Sequence, residues 1–207
     1  MRFAISCGAL CALSLASLPA SAEGVFVGGS FGQSKFQDYN VSAGVSTSDD
    51  TDGAYRVFGG YLISPLQGLV LSYVDLGEAR FAGPAFGGFT DSLKADGFDL
   101  SYIIGFAPGM QERITVFGTV GVFAWDQDVS YAEGLNSVPA SFAYKDDGTS
   151  FSLGLGAEIN FAADGSNAWG IHVGWQLFKD VGNANNSGHE NDRELFSVGA
   201  NYRFGRN

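Results

Sequence analysis

From residue 24 onward, apolar and polar residues mostly take turns along this chain. That period of two is the mark of strands with one dry and one wet face. The clearest case is Thr149–Phe161, where Phe151, Leu153, Leu155, Ala157, Ile159 and Phe161 alternate with Ser152, Gly154, Gly156, Glu158 and Asn160. The same pattern predicts strands at Gly24–Phe36, Ala54–Ile63, Gly68–Leu76, Lys94–Phe106 and Ile114–Trp125. It recurs at Trp169–Leu177 and in the closing stretch, Leu195–Phe204. There Phe196, Val198, Ala200, Tyr202 and Phe204 share one face, and Leu195, Ser197, Gly199, Asn201 and Arg203 the other. In Ile114–Trp125 the phase is unsettled. Ile114, Val116, Val120 and Val122 agree, but Trp125 falls opposite and calls for a bulge.

The connections alternate in length. Ser64-Pro65-Leu66-Gln67, Ala107–Gln111 and Ala162–Ala168 are short, whereas Gln37–Gly53, Gly77–Leu93, Asp126–Gly148 and Phe178–Arg193 are long and polar. Eight strands with this alternation predict an all-β, eight-stranded antiparallel up-and-down transmembrane β-barrel. Aromatics gather near the short turns (Tyr61, Phe106, Phe161, Trp169, Tyr202, Phe204) and again near the long loops (Tyr73, Phe98, Phe151, Trp175, Phe196). Two girdles around an uncharged band suit a bilayer, since Arg or Lys on the lipid face at mid-membrane costs ~2–4 kcal/mol. A soluble lipocalin-like barrel would carry its charges on the outside. Here they share the glycine-rich face opposite the apolar one.

The first residues follow a different logic. Met1-Arg2, the apolar run Phe3–Leu18 and Pro19-Ala20-Ser21-Ala22 before Glu23 read as a secretory signal, cleaved between Ala22 and Glu23. The division is therefore 1–22 as signal and 23–207 as barrel, leaving 207 − 22 = 185 residues. Cys7 and Cys11 leave with the signal, so no disulfide framework is expected. Losing Arg2 leaves 10 basic against 22 acidic residues, a net charge of −12 that would repel nucleic acid. No later apolar run is long enough for a transmembrane helix, so membrane entry requires a closed barrel.

Several stretches resemble the small OmpA/OmpX-like outer-membrane barrel family. They are Gly59-Gly60-Tyr61, Leu71–Gly77, Gly105-Phe106-Ala107-Pro108, Phe117–Trp125 and Gly154–Glu158, in order along the chain. Ser197-x-Gly199-x-x-Tyr202-x-Phe204 is similar to the terminal assembly signal of such barrels, although Gly205-Arg206-Asn207 follow it. The resemblance implies a Gram-negative outer membrane and insertion by the outer-membrane assembly machinery. It also implies both termini in the periplasm, and lipid and lipopolysaccharide as surroundings. It does not imply cell-wall anchoring, because no peptidoglycan-binding domain is visible. Val70 and Thr119 occupy positions where the family often carries an interior acid and base, so a lumen salt bridge of that kind is not expected.

Catalytic and metal motifs fail on context. Gly28-Gly29-Ser30-Phe31-Gly32 spells a nucleophile elbow but lies within a strand. Ser48–Gly53 imitates a calcium loop whose closing Glu is Gly59, although acidic loops remain candidates for loose divalent-cation binding. A lipid-modifying enzyme of the deacylase type would want Ser where Gly174 follows His172, and His189 lies with Ser187 and Glu190 in a loop. No enzyme and no cofactor are expected. The sharper expectation is a polar cluster of Glu158, His172 and Arg203 filling the lumen near the short turns, because buried ions need partners. The resulting reading is a structural or surface-interacting barrel with a filled lumen, long acidic loops and an unidentified surface ligand. A narrow porin-like channel is the alternative, and a barrel enzyme comes third.

Overall fold

The structure is a computed structural model that describes residues 24–36, 46–64, 66–83, 89–107, 113–133, 140–163, 167–183 and 189–204. The segment expected to be a secretory signal, with Ala22 and Glu23, and also Pro65, Ser187 and Gly205-Arg206-Asn207 lie outside the described residues. Strands β1 (Gly24–Phe36), β2 (Ser46–Asp49), β3 (Thr51–Ser64), β4 (Gln67–Gly83) and β5 (Phe89–Phe106) come first. They are followed by β6 (Ile114–Glu133), β7 (Ala140–Ala163), β8 (Asn167–Asn183) and β9 (His189–Phe204). The short β2 extends the β3 edge, pairing with β4 at Thr47↔Phe81 and Asp49↔Arg80. Counted with β3 as one stave, it leaves eight antiparallel staves, each paired with its sequence neighbours. β9 closes the ring on β1, from Val25↔Phe204 to Phe36↔Arg193. The barrel expected from the alternation is the one that forms.

The faces follow sequence parity. Phe31, Val57, Phe98, Leu100, Val122, Phe151, Leu155, Trp169, Val173 and Phe196 stand exposed on the outer wall, an apolar band that water would penalise and lipid would not. Aromatics meet at both edges of that band. Trp169 and Tyr202 meet edge to face at 4.8 Å and Tyr202 and Phe204 at 4.7 Å at the end holding the termini, and Tyr73 and Phe98 at 5.4 Å at the other.

Two sequence expectations need correction. The long connections are shorter than the pattern suggested, because β4 runs to Gly83, β5 starts at Phe89, β6 runs to Glu133, β7 starts at Ala140, and β8 and β9 reach Asn183 and His189. A tilted transmembrane strand needs only about 9–11 residues, so the 24 residues of β7 carry the wall well past the apolar band. Out there the outer face is polar and apolar side chains such as Val129 and Tyr144 point inward, so a reading keyed to a lipid-facing dry side cannot see the strand.

Trp125 also needs no bulge. β5 and β6 pair without a shift from Phe89↔Glu133 to Phe106↔Val116, and the indole points into the barrel, where its Nε1 donates to Ser150 Oγ at 2.8 Å. The register shifts lie elsewhere, at Asp75/Glu78 between β4 and β5, at Phe178/Val181 between β8 and β9, and at Leu62/Ser64 and Thr47/Asp49 where β3 and β2 pair with β4. Gly77 (φ 72°) marks the first, and Asp180 (φ 52°) with Gly182 (φ 107°) the second.

Candidate functional site

The inward faces carry the polar groups that alternation reserves for the side away from lipid, and the barrel brings them together from several strands. Arg56 on β3 and Asp99 on β5 form an ion pair at 3.7 Å, although β4 stands between them in the wall. Arg56 Nε and Nη2 donate to Ser72 Oγ on β4 at 2.8 and 2.6 Å. Its Nη1 donates to Gln176 Oε1 on β8 at 3.0 Å. Gln176 Nε2 in turn donates to Asp99 Oδ2 at 3.2 Å. Ser101 Oγ and Ser152 Oγ, on β5 and β7, each donate to Asp99 at 2.5 Å. The fully buried carboxylate of Asp99 thus has one cation and three neutral donors, which is what a charge needs to survive burial.

This network is a different pair from the one whose absence Val70 and Thr119 imply. An interior salt bridge is present, but β3 and β5 supply it. Val70 instead packs with Phe26 and Leu62, against Phe58 and Ile103. Arg56 was missed, although it lies between outward Tyr55 and Val57 and parity alone would have put it inside. Its partner was not legible, since parity says nothing about height.

The cluster expected from Glu158, His172 and Arg203 divides in two. Arg203 Nη2 donates to Glu158 Oε1, and Asn201 Nδ2, from the same strand, donates to Oε2 at 2.6 Å. Asn201 was missed, although it shares the inward parity of Arg203. Gly170 makes room for this contact, because a Cβ there would lie 2.9 Å from the Glu158 carboxyl carbon. His172 stands cross-strand from Glu158, yet its ring lies edge-on to Phe58 at 5.5 Å. The closing strand's Gly199 faces His172 across the β8–β9 pair, and a Cβ there would sit 2.7 Å from Nε2 and run into the Gly29 carbonyl of β1. Ser197 pairs with Gly32 on β1, while Tyr202 and Phe204 turn outward into the aromatic edge.

The remaining candidates lie apart. Ser30 is buried mid-strand in β1 with no turn around it. Asp52 caps the β4 bulge, accepting from the Gly53 and Glu78 amides at 2.7 Å. Glu190 lies on β9, beyond the aromatic edge. On the outer wall Asp75, Asp96, Asp126 and Asp147 stand directly opposite one another across β4 to β7. Lys94 reaches Asp75 at 3.6 Å, and Lys145 reaches Asp128 at 2.7 Å. The hydrogen bond to Asp128 holds the Lys145 ammonium pKa above its ordinary value, and Arg80 holds the Glu78 carboxyl below its own. No group of three metal-ligating side chains occurs among the described residues.

Comparison with known proteins places this geometry. The OmpA-like transmembrane domain profile matches residues 20–207. Outer membrane protein A of Yersinia pseudotuberculosis is 28% identical over 185 residues, covering 87% of this chain and 48% of that protein. Outer membrane protein A of Salmonella typhi is 26% identical over 181 residues, with the same two coverages. The chain spans about half the length of the curated relatives it matches. Among solved structures, the outer membrane protein OprG of Pseudomonas aeruginosa superposes with a TM-score of 0.54 at 12% identity, covering 89% of this chain and 97% of that one. That is a likeness of fold.

Proposed function

This chain belongs to the OmpA-like transmembrane domain family and is an outer-membrane β-barrel of a Gram-negative envelope, and from that premise we propose that it serves as a closed, cross-braced barrel with a structural or surface-interacting role. The observation that carries this reading is the Arg56–Gln176–Asp99 chain, which runs from β3 to β8 and back to β5. An eight-stranded barrel has an interior only wide enough for side chains, and here those side chains tie distant staves to one another. Phe123, Trp125, Phe178 and Leu195 pack together inside as well, so a hydrated ion would meet both a packed apolar cluster and a satisfied ion pair.

In this reading both termini are periplasmic and the far end of the wall faces outward. Residues 1–22 are the secretory signal, cut between Ala22 and Glu23. Ser197, Gly199, Tyr202 and Phe204 form the signal that the assembly machinery reads. The Asp75-to-Asp147 row and its lysines meet lipopolysaccharide phosphates and their divalent cations, and the outward connections meet a surface ligand. The identity of the relatives as outer-membrane barrels weighs against an enzyme.

Topology is tested by labelling. Mature residues 23–207 contain no cysteine, so a single cysteine placed between β6 and β7 should react with a membrane-impermeant maleimide on intact cells. One placed between β7 and β8 should not. Labelling only between β7 and β8 would invert the orientation. A folded barrel should also migrate differently in gels before and after heating.

A further inference from the structure

Arg193 is an interior cation that forms no ion pair among the described residues. It sits on β9 with no exposed surface, and among the described residues none of its three guanidinium nitrogens has a hydrogen-bond partner. Its central carbon lies 3.4 Å from the centre of the Phe36 ring, the spacing of two planar groups stacked face to face. Such a stack stabilises the charge from one side but leaves the in-plane N–H donors unused. The flanking acids cannot supply an acceptor. Asp192 and Glu194 have the opposite parity, and Asp192 is held by Lys179 on the outer wall.

The surroundings form a polar layer between two apolar ones. Leu195, two residues along β9, belongs to a cluster with Trp125, Phe178 and Phe123. Phe36 belongs to a second cluster with Ala79, Leu93 and Val129. On β6, Gln127 lies between Trp125 of the first cluster and Val129 of the second, and points inward. Its amide is buried to 1% exposure and neither its nitrogen nor its oxygen has a partner among the described residues. Two unpartnered donor groups thus share one step of the lumen, although buried polar groups are paired in the great majority of cases. Asp146, cross-strand from Gln127, also faces inward, which limits the charge the layer can accept.

We infer that this layer is an internal binding site for a small, singly charged inorganic anion of halide size, held by the Arg193 guanidinium and the Gln127 amide nitrogen. Five donors in a fixed fork suit an anion that accepts from several directions. The packed clusters on both sides bound the layer above and below. The site goes beyond the closed-barrel reading and does not depend on it.

The test uses the full mature chain refolded in detergent, with bromide as the probe. Urea midpoints are measured in sodium bromide against sodium gluconate at equal ionic strength, since a ligand that binds only the folded state raises stability with its concentration. The wild-type midpoint should climb with bromide, and Arg193→Met should show no climb. If Arg193→Met fails to fold, Gln127→Leu takes its place. It should weaken the apparent bromide affinity by about tenfold, the factor that one hydrogen bond to a charged group supports. Crystals soaked in bromide should give an anomalous peak beside Arg193. Equal bromide responses in wild type and variants, or a bromide-soaked map with water alone beside Arg193, would make Arg193 a hydrated structural cation and overturn the site.

Discussion

Arg56 and Asp99 hold the two ends of one amide: Gln176 accepts from the guanidinium at 3.0 Å and donates to the carboxylate at 3.2 Å, and the two ions lie 3.7 Å apart. The network joins β3, β5 and β8, so it forms only once the ring has closed. Its worth lies in being complete. Asp99→Leu leaves a guanidinium inside the barrel with no charge partner, and breaking such a pair costs about 3–5 kcal/mol. The double variant Arg56→Met/Asp99→Leu should recover most of that loss. Equilibrium urea unfolding in lipid vesicles would measure both. A single variant within 1 kcal/mol of wild type, on the scale of an exposed pair, would contradict the account.

Glu158 and Arg203 should couple in the same way. A double-mutant cycle of Glu158→Gln and Arg203→Met is expected to return an interaction energy of about 1–3 kcal/mol, the range for groups in direct contact. Coupling near zero would reduce this pair to an incidental contact.

The seam between β9 and β1 has its own demand. Gly199→Ala would drive a methyl group into the Gly29 carbonyl, at a cost of about 1–3 kcal/mol for overpacking. Ser197→Ala, cross-strand from Gly32, should cost much less. For assembly, deleting Tyr202 and Phe204 should abolish insertion in cells, while deleting the last three residues should leave it intact. The opposite outcome would show that the signal lies in Gly205-Arg206-Asn207.

These residues also mark how far the sequence could be read. Parity put Glu158, His172, Asn201 and Arg203 on one side of the wall because a strand turns over at every residue, and the apolar faces from Phe31 to Phe204 were visible for the same reason. Parity does not fix height, and the heights decide that Arg56 meets Asp99 while His172 meets Phe58. Trp125 looked like an error of phase because an aromatic on the wet face contradicts the lipid pattern. In the fold it packs inside the far wall, where the barrel rebuilds an apolar core. The ends of β6 and β7 were hidden because beyond Asp126 the apolar side chains, Val129 and Tyr144 among them, turn inward, the reverse of the lipid-facing pattern.

The outer aspartate row offers a prediction of opposite sign. Asp126 faces Asp96 on one side and Asp147 on the other, and like charges directly opposite in a sheet oppose pairing by about 0.2–1 kcal/mol. In detergent at low salt without divalent cations, Asp126→Asn should therefore raise the urea midpoint slightly. A lowered midpoint would mean that the row is already neutralised within the protein.

The central claim is that the lumen is closed by its own side chains. Planar-bilayer recording of the refolded wild-type protein tests this most directly. The account predicts no reproducible discrete openings. Reproducible, steady openings of wild type would contradict it, and the chain would then be a narrow channel.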